Sequence, residues 1–477
     1  MLNNAKEKAV YGRIEVFTKQ FTKHRFARHS TAIRTACGKS VFVETDTKVS
    51  AFGGLMAAMH HLRTCGVLGK VYDALLGTLP DRGQQGKVKH SAKDLLTQRL
   101  MGLMVGKEDL CDTDQLAADP GFMLAIGRDR LASTATLSRF EQKVGQATLD
   151  AGNELLLDMY FRFGNLSKYV YIDVDNTPVE LHGYQENVKF NGHYMCNCYL
   201  PLLAFINGFP VGVYNGNEDG RATVVAHLRE IVARIRRHRP DAIIVLRADS
   251  GFSGTTLVDL CEELGCYYLI GLSPNKALLR RLEAWDPQFM EIVRRPPVLG
   301  GTLLRHLGEI DDYQASSWTG PRRVIVRDYY DDERRQWDAR FIQTNIPNKS
   351  NEKCGKLWRL TARELYENVY CDRGSAEKSN QEFKKQAFGA RSSSTRFLTN
   401  SYRMLLTAIC MLFYKILRTC FFTKAMSWYT ATLKAFREHF VVTPAVVEAK
   451  RSRITLRMNL RRCTPTDIQR FWRTKLE

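Results

Sequence analysis

Residues 169–271 alternate short apolar runs with two amphipathic stretches, and this alternation limits the folds open to the chain. Runs rich in β-branched and aromatic residues predict strands, and Asn207-Gly208 between two of them predicts a hairpin turn. Apolar residues spaced three and four apart predict helices. The predicted order is β-β-β-α-β-α-β, with strands at 169–175, 194–206, 209–214, 242–249 and 266–271 and helices at 222–239 and 255–264. The fold class is therefore predicted as α/β, a mixed sheet with helices packed on it.

Charge divides the chain into three regions. Residues 1–165, predicted as mostly helical, carry 23 basic and 17 acidic residues, a net charge of +6. Residues 166–395 carry only +2 and include a predicted, mostly β insertion at 275–345. Residues 396–477 carry 16 basic and 4 acidic residues, or +12, and are predicted as a basic helical region. A near-neutral core with basic ends is typical of an enzyme that grips a polyanion, although a merely basic soluble protein has the same composition.

The cysteines and the apolar runs indicate the compartment. The twelve cysteines are scattered, without the spacing of a zinc site, which favours reduced thiols in a cytoplasmic protein. The first residues lead into polar, basic sequence rather than a signal peptide. The longest apolar run, 404–417, is too short to cross a bilayer and is predicted to be a buried helix. We therefore expect no membrane partner.

Three acidic residues stand where a metal site could form. Asp175 ends the first predicted strand, Asp249 ends the fourth, and Glu377 lies on a late helix. Carboxylates at the ends of adjacent strands, with one from a nearby helix, can hold two Mg²⁺ ions that act on a phosphodiester. Such hard oxygen ligands suit Mg²⁺ or Mn²⁺ rather than zinc. Singly, each aspartate is as well explained as a turn or capping residue, and Asp173 shares the strand face of Asp175.

The late segment 370–384 carries both signs of charge on one helical face. At about 3.6 residues per turn, the residues on this face are Arg373, Glu377, Asn380 and Lys384. A carboxylate flanked by cations can hold a metal beside phosphate oxygens. Taken alone, the same pattern also describes a solvated face with Glu–Lys pairs.

These residues carry a family resemblance. The chain resembles DDE transposases of bacterial insertion sequences, in the group whose signature is Tyr, two residues, Arg, three residues, Glu, six residues, Lys. Every gap matches at Tyr370, Arg373, Glu377 and Lys384. The first family aspartate is followed by x-Thr, as in Asp175-Asn-Thr177, and the second lies in Arg-Ala-Asp-Ser-Gly-Phe, as in 247–252. The resemblance covers roughly 90–415 and favours Asp175 over Asp173.

The resemblance implies an RNase H-like catalytic core and cut-and-paste transposition. It implies that Asp175, Asp249 and Glu377 are the catalytic residues and ligands of Mg²⁺, for which Mn²⁺ substitutes. It implies that Tyr370, Arg373 and Lys384 hold phosphates of double-stranded DNA, both terminal inverted repeats and target. We expect a homodimer in the DNA complex. Two other interpretations stay open: an RNase H-like nuclease without strand transfer, and a catalytically inactive DNA-binding derivative.

Two further DNA contacts are predicted outside the signature. Ser133 is placed to cap a helix that carries Arg139, a pattern typical of a helix-turn-helix recognition helix and equally of a capped surface helix. Chemistry on a strand end often needs a base held against an aromatic ring. Trp318 is the preferred candidate over Trp337, because Ser316, Ser317 and Gly320 suggest an exposed turn. The alternative is a tryptophan packed in the β core.

Overall fold

The computed structural model of the 477-residue chain describes most of the protein. The described ranges are 17–20, 29–35, 38–43, 47–79, 88–216, 221–285, 287–294, 302–331, 336–349, 352–450, 453–460 and 463–472. Three strands, β1 (Phe17–Gln20), β2 (His29–Thr35) and β3 (Gly38–Val43), form a small antiparallel sheet. The short strand β4 (Val49–Ser50) comes after them.

The predicted helical N-terminal region is present after these strands. Its helices are α1 (Leu55–Thr64), α2 (Val67–Leu76), α3 (Ala92–Met104), α4 (Thr113–Ala117), α5 (Pro120–Ile126), α6 (Thr134–Glu141) and α7 (Gln146–Phe163). Local sequence sets their first residues: Ser91 and Asp94 form a capping box at α3. Ser133 accepts a hydrogen bond from the Thr136 amide at α6, which confirms the predicted cap.

The predicted alternation of strands and helices forms the first part of a nine-stranded central sheet. This part contains β5 (Tyr169–Asn176), β9 (Leu202–Ile206), β10 (Phe209–Tyr214), β11 (Ile243–Ala248) and β12 (Tyr267–Leu272). Strands β5, β11 and β12 are parallel, whereas β9 and β10 run antiparallel to their neighbours. The helices α8 (Arg221–His238) and α9 (Thr255–Glu263) fall where they were predicted. The α/β prediction is confirmed.

One predicted strand is two. Residues 194–206 divide into β8 (Cys196–Tyr199) and β9, with Leu200 and Pro201 between them. Proline has no amide hydrogen to donate to a strand partner, so the ladder breaks there. Strand β8 instead joins β6 (Val179–Glu180) and β7 (Lys189–Asn191) in a separate three-stranded sheet. We call residues 179–199 the flap.

The predicted β insertion extends the central sheet. After α10 (Lys276–Glu283) come β13 (Phe289–Arg294), β14 (Thr302–Tyr313), β15 (Arg322–Asp331) and β16 (Gln336–Thr344). The last of these pairs antiparallel with β12, so its Leu269–Thr344 register joins the insertion to the central strands. The nine strands lie in the order β10-β9-β5-β11-β12-β16-β15-β14-β13. The mostly β character is confirmed, and the insertion is continuous with the sheet.

The C-terminal region is only partly helical. The short helices α11 (Ala362–Glu364) and α12 (Gly374–Gln381) precede it. It contains α13 (Phe397–Phe421), α14 (Ser427–Thr430), α15 (Leu433–Phe436) and α16 (Pro465–Asp467), and also a hairpin of β17 (Ala445–Lys450) and β18 (Arg453–Met458). The helices agree with the prediction of a basic helical region, whereas the hairpin was not expected. Strand β17 pairs with β4, near the opposite end of the chain, and that partner is too distant in sequence for local propensity to indicate it.

One hydrophobic core joins all three predicted regions. It contains buried residues from the N-terminal helices, from β5, β9 and β10, and from α13, between Phe52 and Phe471. Helix α13 is long and apolar enough to cross a membrane by composition, but its most apolar window is 83% buried inside the protein. The buried-helix prediction is confirmed. The domain boundaries at 165 and 395 stay predictions.

Candidate active site

The parallel pairing of β5 with β11 brings two aspartates to one edge of the sheet. The register aligns Ile172 with Leu246 and Asp173 with Arg247, so both strands end side by side. Asp175 lies at the end of β5, and Asp249 follows β11 directly. Asp249 also accepts a hydrogen bond from the Gly251 amide (Oδ1···N 3.0 Å), which holds its carboxylate at the turn. Carboxyl ends of parallel strands are where α/β sheets place their sites.

The late helix α12 adds the third carboxylate. Arg373, just before it, links the two elements: Nη1 lies 3.4 Å from Asp175 Oδ2, and Nη2 lies 3.0 Å from Glu377 Oε1. The Arg373 and Asp175 side chains are largely buried, whereas that of Glu377 is 61% exposed. The structure thus gathers Asp175, Glu377 and Arg373 in one place.

Two π-helical turns flank this helix, Leu365–Tyr370 before it and Glu382–Gln386 after it. A π turn carries an extra residue, which rotates the residues beyond it relative to a regular helix. Asn380 keeps the expected face and donates from Nδ2 to Asp175 Oδ2 at 2.6 Å. Lys384 falls in the second π turn, and its electrostatic neighbours are Lys385 and the flap residues Cys196, Cys198 and Glu180. Regular α-helical spacing therefore ends at Gln381, before Lys384.

Electrostatics couple the three carboxylates. The pKa of Asp175 is raised to about 6, first by burial and then by the charge of Asp249, with a smaller contribution from Glu377. The guanidinium of Arg373 opposes this shift. Like charges crowded into one partly buried site raise a carboxyl pKa because ionising each one costs more. Such perturbation is typical of functional sites.

Asp173, the alternative to Asp175 as the first site aspartate, forms a salt bridge with Arg247. Arg247 donates from Nε to Oδ1 at 2.6 Å and from Nη2 to Oδ2 at 2.8 Å, and both side chains are buried (3% and 2% exposed). Arg247 also donates to the Val369 carbonyl at 2.6 Å and to Asp372 at 3.2 Å. Burial disfavours the charged guanidinium, yet Asp173 and Asp372 raise the pKa of Arg247. This network ties β5 and β11 to the segment that leads into Arg373.

Sequence reasoning missed the roles of Arg247, Asp372 and Asn380. Arg247 had a recognisable signal, because an arginine inside a buried strand needs an acidic partner. Its neighbour in the register is Asp173, two residues before Asp175. No local signal pointed to Asp372. Helical spacing placed Asn380 on the expected face, but its hydrogen bond to Asp175 depends on the approach of a distant strand.

The other predicted DNA contacts lie at different depths. Tyr370 is partly buried below Arg373, whose guanidinium lies 5.8 Å from the ring centroid, and burial raises the pKa of its phenol. Arg139 is exposed on α6.

The expected exposure of Trp318 was wrong. Its side chain is only 6% exposed, with Tyr313 edge-on at 5.4 Å and Arg322 4.4 Å from its ring centroid. Trp337 is 45% exposed. Trp318 is buried and Trp337 is not because Trp318 belongs to a hydrophobic cluster within the insertion.

The donor chemistry of the site fits a hard divalent cation. Within the described ranges, no three acidic, histidine or cysteine side chains lie close enough to hold a metal by themselves. Yet Asp175, Asp249 and Glu377 offer oxygen ligands at one edge, and a cation would relieve their mutual repulsion. The Oδ1 atom of Asn380, beside Asp175, is buried without a hydrogen-bond partner among described residues. Within the described residues, the site therefore combines three carboxylates with one buried amide oxygen that has no hydrogen-bond partner.

Fold and site together define an α/β protein whose carboxylates converge with one arginine where two parallel strands end. A family model for the transposase DDE domain, group 1, matches residues 36–472. The match covers nearly the whole chain, so the protein belongs to the DDE transposase family, as its sequence signature predicted. A search of curated proteins finds no match.

Proposed function

We propose that the chain is a Mg²⁺-dependent DNA transposase that binds the terminal inverted repeats of an insertion sequence, cuts the element ends and joins the 3′-hydroxyls to target DNA. The observation that carries this proposal is the convergence of Asp175, Asp249 and Glu377 around Arg373. The order of two antiparallel strands followed by three parallel ones supports an RNase H-like core. The basic ends of the sequence support DNA on both sides of the site.

The three carboxylates and their two neighbours act on the phosphate. Asp175, Asp249 and Glu377 would hold Mg²⁺ or Mn²⁺, and a bound ion would supply activation of the attacking oxygen and stabilisation of the leaving one. Arg373 and Tyr370 orient the phosphate, and a guanidinium suits this role because it presents two parallel donors to oxygen atoms.

The remaining predicted residues act farther from the cut. Lys384 holds the strand toward the flap, and Arg139 and the basic C-terminal region contact duplex DNA. Trp318 serves the insertion by packing rather than by stacking on a base. The active form on DNA is a homodimer.

The test replaces each carboxylate without changing its shape. Asp175→Asn, Asp249→Asn and Glu377→Gln should each lose about 10³-fold or more in cleavage, because coupled catalytic groups fail together. Binding to the element ends should survive each change. Asp241→Asn, an exposed aspartate paired with Arg239, is the matched control and should cut normally.

The assay uses a labelled element end with Mg²⁺, followed by a pre-cut end carrying a 3′-hydroxyl and a plasmid target. Joining of the pre-cut end separates a transposase from a nuclease, which would cut but not join. A Glu377→Gln protein that cuts and joins normally would contradict the assignment. Loss of end binding in all three variants would instead indicate misfolding.

A further inference from the structure

The flap lies directly beside the carboxylates. It leaves the sheet just after Asp175 at the end of β5 and returns through β9, whose Leu203 pairs with Asp175. Its base is fixed: Val179 pairs with the buried Tyr199, and the Tyr199 hydroxyl donates to the Glu186 carbonyl at 2.6 Å. The Glu186 amide in turn donates to the Thr395 carbonyl at 2.8 Å. The flap is thus anchored to the body of the protein.

The tip of the flap has a defined shape. The buried Asn191 accepts hydrogen bonds at Oδ1 from the amides of His193 (2.9 Å) and Tyr194 (3.1 Å). The His193 ring packs edge-on against Tyr194, with centroids 4.7 Å apart. Met195 follows at φ 54°, a left-handed conformation that non-glycine residues adopt only where surrounding structure imposes it. The tip therefore holds the side chains of Tyr194 and Met195 in fixed places.

Tyr194 and Met195 are exposed to solvent, although large hydrophobic side chains are usually buried. Among the described residues, nine large hydrophobic side chains are exposed, and four of them lie within this one flap. They are Tyr184, Phe190, Tyr194 and Met195. Exposed apolar side chains concentrated in one segment mark an interaction site.

The groups around Tyr194 indicate what kind of ligand the flap binds. Its ring is 41% exposed, and the charges of Asp249 and Asp175 help burial to raise the pKa of its phenol, so it lies close to both carboxylates. Two cations belong to the flap or neighbour it: Lys384 lies near Cys196 and Cys198, and the exposed Lys189 lies on β7. Aromatic rings interleaved with cations are how proteins bind unstacked nucleotides, since bases stack on the rings and phosphates meet the cations.

We propose that the flap tip, through Tyr194, Met195 and Phe190, binds unpaired bases of a DNA end next to the cleavage site. This inference rests on the proposed function, because it takes the carboxylates as the place where the strand is cut. A paired duplex hides its bases in the stack, so the flap should distinguish a single-stranded end from a blunt one. The flap, rather than Trp318 in the insertion, would therefore hold a base against an aromatic ring.

The test measures binding without cleavage. A fluorescein-labelled duplex with a five-nucleotide thymidine overhang is compared with the same blunt duplex in EDTA, using anisotropy. Tyr194→Ala should weaken binding of the overhang duplex about five- to hundred-fold, the range that loss of one base–aromatic stack produces, and change blunt-duplex binding less than about two-fold. Tyr194→Phe should bind like the wild type. Ile292→Ala, an exposed apolar residue on β13, is the matched control.

A second readout does not depend on variants. An overhang carrying 2-aminopurine should lose fluorescence when the wild-type protein binds, because stacking quenches that base. Unchanged overhang binding by Tyr194→Ala, or equal losses on both duplexes, would overturn the inference. A bound overhang whose 2-aminopurine stays unquenched would overturn it too, whatever the number of chains in the complex. If the wild type binds neither duplex, the proposed function fails as well; if it cuts and joins without preferring the overhang, only this inference fails.

Discussion

Asp173 and Asp175 lie two residues apart on β5, yet replacing each with asparagine should change the stability of the fold in opposite directions. Asp173→Asn removes the charge that neutralises Arg247 in the interior, where both side chains are at most 3% exposed. Removing one partner of a buried ion pair costs about 3–5 kcal/mol, because the other charge stays buried and unpaired. Asparagine keeps one acceptor and Asp372 remains nearby, so we expect a loss at the low end, about 3 kcal/mol.

Asp175→Asn should stabilise the metal-free protein. The pKa of Asp175 is about 6 instead of its ordinary 3.8, and each unit is worth about 1.36 kcal/mol. The ionised carboxylate therefore costs the fold about 3 kcal/mol at neutral pH, and asparagine removes that cost. Because the folded-state pKa is raised, the wild type recovers stability as the pH falls from about 7 to 4. The two proteins should converge near pH 4.

Chemical denaturation at pH 7.5 in EDTA measures both effects. The double variant Asp173→Asn/Arg247→Gln should be less destabilised than the sum of its single changes, since it leaves no unpaired charge. An Asp173→Asn protein as stable as the wild type would refute the reasoning, and so would equal destabilisation by both aspartate changes. If Asp173→Asn is destabilised as expected, a loss of its activity reflects impaired folding. The Asp175→Asn protein should instead be folded and inactive.

Three further predictions concern the rest of the molecule. DNA affinity should fall steeply between 50 and 200 mM salt through counterion release, as filter binding would show, and a flat response would contradict the expected grip on a polyanion. Trp318→Ala should lower the free energy of unfolding by about 3 kcal/mol or more, the usual loss for a buried aromatic, while Trp337→Ala changes it little; equal effects would argue against the packing described. Lys415 is mostly buried, and its pKa is lowered to about 8 by burial and by Arg418. Lys415→Met should therefore raise the melting temperature at pH 7 and much less at pH 9.5, where the native lysine is already neutral; the same gain at both pH values would exclude this cause.

Periodicity and turn chemistry predicted much of the sheet. The alternating runs located the strands between 169 and 271, and Asn207-Gly208 forms the hairpin turn between β9 and β10 as expected. Those signals act over a few residues, so a single sequence carries them. Pairing of β17 with β4 and of β16 with β12 joins distant segments, and nothing local encodes it.

The site divides in the same way. Carboxylates at strand ends and on one helix could be located from spacing, and the structure brings Asp175, Asp249 and Glu377 within electrostatic reach of one another. The burial of Trp318 could not be foreseen, because a serine- and glycine-rich turn says nothing about the side chains that pack over it. Lys384 lies in a π turn, which breaks the regular helical spacing and which no propensity scale predicts.

The pairing of the chain's two ends has a consequence for its synthesis. Strand β4 needs β17, the His61 ring shares a hydrogen bond with the Phe471 carbonyl oxygen at 2.8 Å, and Glu382 beyond α12 accepts a hydrogen bond from the Leu433 amide. An emerging polypeptide cannot close these contacts until residues 433–471 leave the ribosome. The N-terminal helices must wait with apolar faces uncovered, which exposes the nascent protein to aggregation. A product terminated before Leu433 would lack the hydrogen bond that this residue gives to Glu382, so the carboxylate site would form without that support.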